Sequence, residues 1–180
     1  NATAAAVTIQ DATMAALGAI TTGGAGTVTL GGATTDNLSG AVTQTGIITA
    51  GTLTGNCGST ATLTLANALT NLGAFATSGN FSLTDAGGLA LTGNLTTGTG
   101  SATITTTGLL VLGANDITSV GVSLTGVGVT SLAGSVVDAG SGTILVDGSD
   151  GAINLAGSLT TTNATAAAVT IQDATMAALG

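Results

Sequence analysis

The sequence predicts an all-β fold, a right-handed parallel β-solenoid (β-helix) with about 20 residues per coil and 7–8 coils per long repeat. Three observations lead there. Short aliphatic alternations recur every 18 to 25 residues or so along the whole chain. The chain has 30 glycines and no proline, so corners are plentiful and no strand loses a backbone donor. Hydrophobic residues make up 44% but aromatics only 1%, so a core has to be built from stacked Leu, Val, Ile and Ala.

Taken in order, the aliphatic units are Val7-Ile9…Leu17, Val28-Leu30…Leu38, Leu63-Leu65…Leu72 and Phe81-Leu83…Leu91. They continue as Ile104…Leu112, Val122-Leu124…Leu132, Ile144-Val146…Leu155 and Val169-Ile171…Leu179. One step, from Leu30 to Leu65, is longer; it contains Ile47, Ile48 and Leu53 and leaves room for an extra coil. Period-two alternation marks strands, as in Phe81-Ser82-Leu83 and 89–95, a pattern that 153–159 repeats. Thr-Thr-Gly at 21–23 and 96–98 and Gly-Gly at 31–32 and 87–88 read as corners. The second strand has a four-residue spacing (Leu38…Val42, Leu91…Leu95, Leu132…Val136, Leu155…Leu159) and a three-residue one (Leu17…Ile20, Leu72…Phe75). The shorter spacing reads as a bulge or an early corner. Alone, residues 11–18 resemble a short helix with an N-cap aspartate and a terminal glycine. Alignment with the other units favours strand and turn. A β-sandwich array or a stack of antiparallel hairpins fits a 20-residue period (roughly) less well.

Residues 1–18 and 163–180 are identical, both reading NATAAAVTIQDATMAALG. The expected organisation is one continuous solenoid over 1–180, with one long repeat at 1–162 and the next copy starting at 163–180. Stacked at roughly 4.8 Å per coil, such a repeat rises about 34 to 38 Å.

Composition removes most chemistry. The chain has no Lys, Arg, His, Trp or Tyr, and its eight acidic residues, all Asp, give a net charge of −8. Without an imidazole base or a lysine, the usual nucleophilic machinery cannot be assembled, so the chain is expected not to be an enzyme. Nucleic-acid binding lacks the cations and stacking aromatics it needs. No apolar run approaches the roughly 18 residues of a spanning helix, and residues 1–20 lack the positive n-region of a signal peptide. Low charge with abundant aliphatics argues against disorder.

The repeat stretches 48–55 (ITAGTLTG) and 71–93 (NLGAFATSGNFSLTDAGGLALTG) resemble the β-strand repeats of filamentous-haemagglutinin-like surface adhesins of diderm bacteria, the two-partner-secretion type. The resemblance extends over essentially the whole chain. It implies export through an outer-membrane partner, a cell-surface or extracellular location, and a long adhesive or biofilm-matrix fibre. Its implied partners are further lengths of the same fibre, end to end and laterally, and a host or neighbour-cell surface or its glycans.

The sharper site candidates are few. Asp147 and Asp150 form the one acidic cluster, 147–151, readable as a calcium loop or as an Asp-Gly turn. No other cofactor is implied, and the frames of an EF-hand or a tandem nonapeptide repeat are missing. A polysaccharide hydrolase needs converging carboxylates, whereas Asp11, Asp36, Asp85, Asp116 and Asp138 are scattered among units. Cys57 has no partner for an internal disulfide; it reads as a small residue at a turn or in the core, or as an intermolecular bridge. Glycosylation sequons occur at Asn1, Asn37, Asn80, Asn94 and Asn163. The outward column Thr8, Thr29, Thr64, Ser82, Thr103, Ser123, Leu145, Thr170 raises an ice- or carbohydrate-binding module as an alternative. Its neighbour, Gln10, Gly31, Ala66, Thr84, Thr105, Thr125, Asp147, Gln172, reads as too irregular for ice. Functional amyloid is the third alternative; it would need identical layers, and the units here differ.

Overall fold

Short aliphatic alternations too brief to bury a face alone must stack on one another, and they do so here in a single parallel array. The computed structural model describes residues 5–32 and 37–180, which form a β-solenoid of about 8 turns spaced about 21 residues apart. The described residues contain no helix, and every strand pairing is parallel.

The coil has three faces. The first stacks Ala15, Val42, Ala61, Phe81, Ala102, Val122, Ile144 and Val169 one above another. The second stacks Val7, Val28, Leu53, Leu72 and Leu91, then runs on through strands Leu110–Gly113 and Val129–Ser131 to Leu155 and Leu179. The third is short, with Phe75 on Leu95 and then Ile117, Val137 and Leu159. Inward side chains from all three form one continuous aliphatic core.

Side-chain volume is matched between rungs. Phe81 is fully buried and lies between Ala61 and Ala102 in its column. Phe75, 2% exposed, has Gly55 as its neighbour in the preceding coil. The two rings touch each other, with centroids 5.0 Å apart and tilted by 54°. Each large ring thus takes space that a small residue leaves, which is how a core with two aromatics reaches close packing.

Corners are held by polar groups that reach between coils. Between the first and second faces, Gln44 and Asn67 exchange amide hydrogen bonds of 2.8 and 3.1 Å. Asn67 Oδ1 accepts from the Ile48 N–H of the preceding coil at 2.9 Å, and Asp85 Oδ2 accepts from Leu69 N–H at 2.7 Å in the same way. Between the third and first faces an inward ladder runs Cys57, Thr77, Thr97, Ser119. Each of its hydroxyls donates to a glycine carbonyl two or three residues on: Thr77 to Gly79, Thr97 to Gly100, Ser119 to Gly121. Buried polar atoms are tolerable because these partners replace water.

The fold is as expected, but the register differs in places. The long step from Leu30 to Leu65 does contain an extra coil, built on Val42–Gln44 and Ile48–Cys57. The step is not a whole number of coils, so Val7 and Val28 stand on the second face and Ile9 and Leu30 in the column of Gly55 and Phe75, whereas Phe81-Leu83 and its successors belong to the first. The core pair of the third unit is Ala61 and Leu63; Leu65 is 38% exposed. Leu132 is 62% exposed, and Ser131 fills its inward position. The pair Leu91…Leu95 straddles a corner, with Leu91 on the second face and Leu95 on the third. The spacing Leu72…Phe75 is a bulge, seen as a register shift opposite Leu53 and Gly55.

Over the described residues the duplicated segment turns at its aspartate in both copies, between strands Ala6–Ile9 and Ala15–Leu17 in the first and within strand Val169–Leu179 in the second, with Asp11 and Asp173 each in the left-handed region (φ 56° and 47°). The copies nevertheless exchange faces. Val7 stands on the second face and Ala15–Leu17 on the first; Val169 stands on the first and residues 177–179 on the second.

Candidate functional site

The acidic cluster folds as a tight turn. Asp147 Oδ1 accepts from the Ser149 N–H at 2.9 Å, and Oδ2 accepts from the Gln172 amide at 2.9 Å in the next coil. The Gln172 hydrogen bond, helped by Ser149, holds the Asp147 carboxyl below its ordinary value. Ser149 and Asp150 both take left-handed backbone conformations (φ 41° and 65°), which turn the chain out of register with its neighbour. Among the described residues, no three His, Cys, Asp or Glu side chains converge as a metal would need.

The remaining aspartates are spread over the corners. Asp116 accepts the Val136 N–H at 2.9 Å, Asp138 accepts the Gly140 N–H at 2.8 Å, and Asp85 is buried. Asp36 lies outside the described residues. Three of the sequon asparagines also brace corners: Asn80 accepts from Ser101 N–H, Asn94 from Asp116 N–H and Asn163 from Thr165 N–H, each at 2.9 to 3.0 Å. Asn37 is exposed, and Asn1 lies outside the described residues. Cys57 is 4% exposed and its thiol donates to the Ser59 carbonyl at 3.6 Å, occupying the top of the hydroxyl ladder. Burial pushes this thiol up from its ordinary value, which disfavours the reactive thiolate that a bridge would require.

The outward surface of the first face is more regular than the sequence alignment suggests. Thr62, Ser82, Thr103 and Ser123 are in register over four successive coils. Thr84, Thr105 and Thr125 stack beside them, with Thr64 completing that second column next to Leu63, which pairs with Leu83. Thr8 and Thr29 do not belong here; they pair with each other on the second face. Gln10 and Gly31 likewise drop out of the neighbouring column because their units lie off the first face, and Ala66 drops out because the pairing of Leu63 with Leu83 brings Thr64 to the level of Thr84. The result is eight hydroxyls on a grid of roughly 4.8 Å along the axis and about 6.7 Å across it. The array ends where Leu145 and Asp147 enter the columns. Beside its lower end lies an open groove of about 490 Å³, lined by Thr103, Ser123, Thr143, Leu145 and Asn163 among others.

Alignment of core aliphatics misses this array because the coil at 61–77 presents Ala61, not a larger residue, at its first inward position. The spacing Thr-x-Thr or Ser-x-Thr at 62–64, 82–84, 103–105 and 123–125 is the signal that finds it. No helix of the described residues is long and apolar enough to cross a membrane. No family model, no curated protein and no solved structure matches this chain.

Proposed function

We propose that the chain is a structural length of a secreted or surface-displayed bacterial fibre, an adhesin stalk or matrix filament, without a catalytic role. One observation carries the reading: a continuous parallel stack of about 8 turns in which polar side chains brace the corners between coils. Such an array has length and stiffness as its main physical properties. Its partners in this reading are further lengths of the same fibre and a host or neighbour-cell surface or glycans. The 162-residue repeat is the building unit.

Charge sets how such fibres meet. The repeat 1–162 holds seven aspartates and no cation; Asp85 is buried, Asp36 lies outside the described residues, and the other five reach solvent within roughly 34 to 38 Å of fibre. That is about one per 7 Å, closer than the Debye length of about 8 Å at physiological salt. Purified fibres are expected to stay dispersed at low ionic strength. They should bundle laterally on raising salt, on adding millimolar Ca²⁺, or on acidifying toward pH 4, as read by turbidity and electron microscopy. Dispersal that is unchanged under all three conditions rejects charge as the spacer. A reconstruction showing identical layers every 4.8 Å or so would replace the solenoid fibre with functional amyloid.

The in-register hydroxyl array favours a second reading, an ice-binding face. Rigid, evenly spaced hydroxyls and methyls can order a regular water lattice. Thermal hysteresis of the purified chain, abolished by Thr84→Lys with Thr103→Lys, is the expected result in that case. Freezing behaviour no different from that of a control protein at equal concentration rejects it.

A further inference from the structure

We propose that Asp85 is a pH-sensitive brace: the solenoid is held more firmly when its buried carboxyl carries a proton than when it is ionised. The side chain is fully buried at the corner between the first and second faces. Its only hydrogen bonds among the described residues come from two backbone donors, Leu69 N–H at 2.7 Å and Gly87 N–H at 2.9 Å. Asn67 stands at the same corner in the coil before and Thr106 in the coil after. Asn67 is neutral and already committed, its Oδ1 to Ile48 and Gln44 and its Nδ2 to Gln44 and to backbone carbonyls. The Thr106 hydroxyl donates to Gly108. Strands Ala61–Thr77, Leu89–Leu91 and Ala102–Thr106 pack around this corner, and none contains a titratable or charged residue. Further along the same edge the nearest aspartate is Asp147, three coils from Thr84 in the outward column, or roughly 14 Å. No Lys, Arg or His exists anywhere in the chain to neutralise the group.

Full burial with no cation favours the neutral carboxyl, the two backbone donors favour the ionised one, and burial is the larger influence, raising Asp85 above its ordinary 3.8. The sign follows from proton binding. Between 3.8 and the raised folded value, the folded state holds a proton that the unfolded chain has lost. Stability therefore falls as pH rises through this window, and the penalty is fully present above it. Asp147 acts in the opposite sense. Its lowered value adds stability above 3.8, which is lost as pH falls below that point. The two aspartates therefore pull the stability profile in opposite directions, Asp147 on the acid side of 3.8 and Asp85 on the alkaline side. The proposal rests on the fold alone and stands or falls separately from the fibre reading.

The test is urea unfolding of the purified 180-residue chain from pH 4 to pH 8, at concentrations too low for bundling. Wild type is compared with Asp85→Asn and with Asp150→Asn, which removes the same charge from an exposed corner. Wild type and Asp150→Asn should lose stability in parallel as pH rises. Asp85→Asn should lose about tenfold less in the folded-to-unfolded ratio for each unit by which folding raises the carboxyl. An asparagine whose amide nitrogen meets one of the two backbone N–H groups lowers the midpoint at every pH, so the slope with pH decides. Equal slopes for Asp85→Asn and Asp150→Asn overturn the proposal. Should Asp85→Asn fail to fold, carbon-13 carboxyl titration of wild type decides instead. Asp85 titrating above 3.8 supports the brace, and titration at or below it sinks the idea.

Discussion

Phe81→Ala is expected to destabilise the solenoid by about 3–5 kcal/mol, the range for deleting a buried aromatic ring. The loss should sit at the upper end, because the site cannot collapse. Phe81 lies between Ala61 and Ala102 and is itself fully buried, so the substitution leaves three alanines in consecutive rungs. Backbone hydrogen bonds fix the rungs at strand spacing, and neighbouring coils cannot move in to fill the space. The ring also gives up its contact with Phe75, 5.0 Å between centroids. Urea unfolding followed by circular dichroism measures the effect. A partial rescue by Ala102→Leu in the same chain would confirm that volume across rungs is what matters. A loss below about 1 kcal/mol would show that the core is far more compliant than close packing allows.

Gly55→Val should cost more still. Gly55 has φ +146°, which residues with a side chain rarely adopt, and an added Cβ would fall onto the Leu30 carbonyl of the preceding coil. The obstacle is backbone, which cannot swing aside as a flexible side chain can. The same position must also stay small because Phe75 fills the space in the next rung. We expect a loss on the order of 4–5 kcal/mol or more, at the limit of single-substitution effects. Gly24→Ala is the control: nothing lies within 4 Å of its added Cβ, and the change should be close to neutral. Thermolysin susceptibility of the two variants separates them, since the chain offers no Lys or Arg for trypsin. Equal resistance for both would contradict the close approach of coils at Gly55.

The fold class was legible because two of its causes are local. Period-two aliphatics specify strands, and frequent glycine without proline specifies corners and unbroken ladders; both can be read without knowing what stacks on what. Register is not local. An alignment that follows large aliphatics passes over Ala61, Ala102 and Ser131, which are inward for the reason that a neighbouring coil supplies the bulk or the hydrogen bond. It therefore placed Leu65 and Leu132 in the core and left the Thr62 and Thr64 columns one step out. The same limit hides the corner chemistry. Nothing in the strings Ala-Asn-Ala at 66–68 or Thr-Asp-Ala at 84–86 marks Asn67 and Asp85 as buried, because the donors that tie them to the preceding coil, Ile48 and Leu69, lie 19 and 16 residues away. The turn at 147–151 was readable, since Asp147 and Ser149 satisfy each other within three residues.

The face exchange of the duplicated segment bears on how such a gene can change length. One shared sequence places its two strands on exchanged faces, second and then first over residues 5–18, first and then second over residues 167–180. What it stacks against, rather than its own sequence, decides where it lies. Long identical stretches are natural points for unequal recombination, which deletes or multiplies everything between them. Here that unit is 162 residues, and the shared segment stacks on the coil that follows it in the first copy and on the coil that precedes it in the second. In the proposed fibre, copy number would set filament length, a heritable variable on which selection can act, and each added joint would have to absorb the exchange of faces.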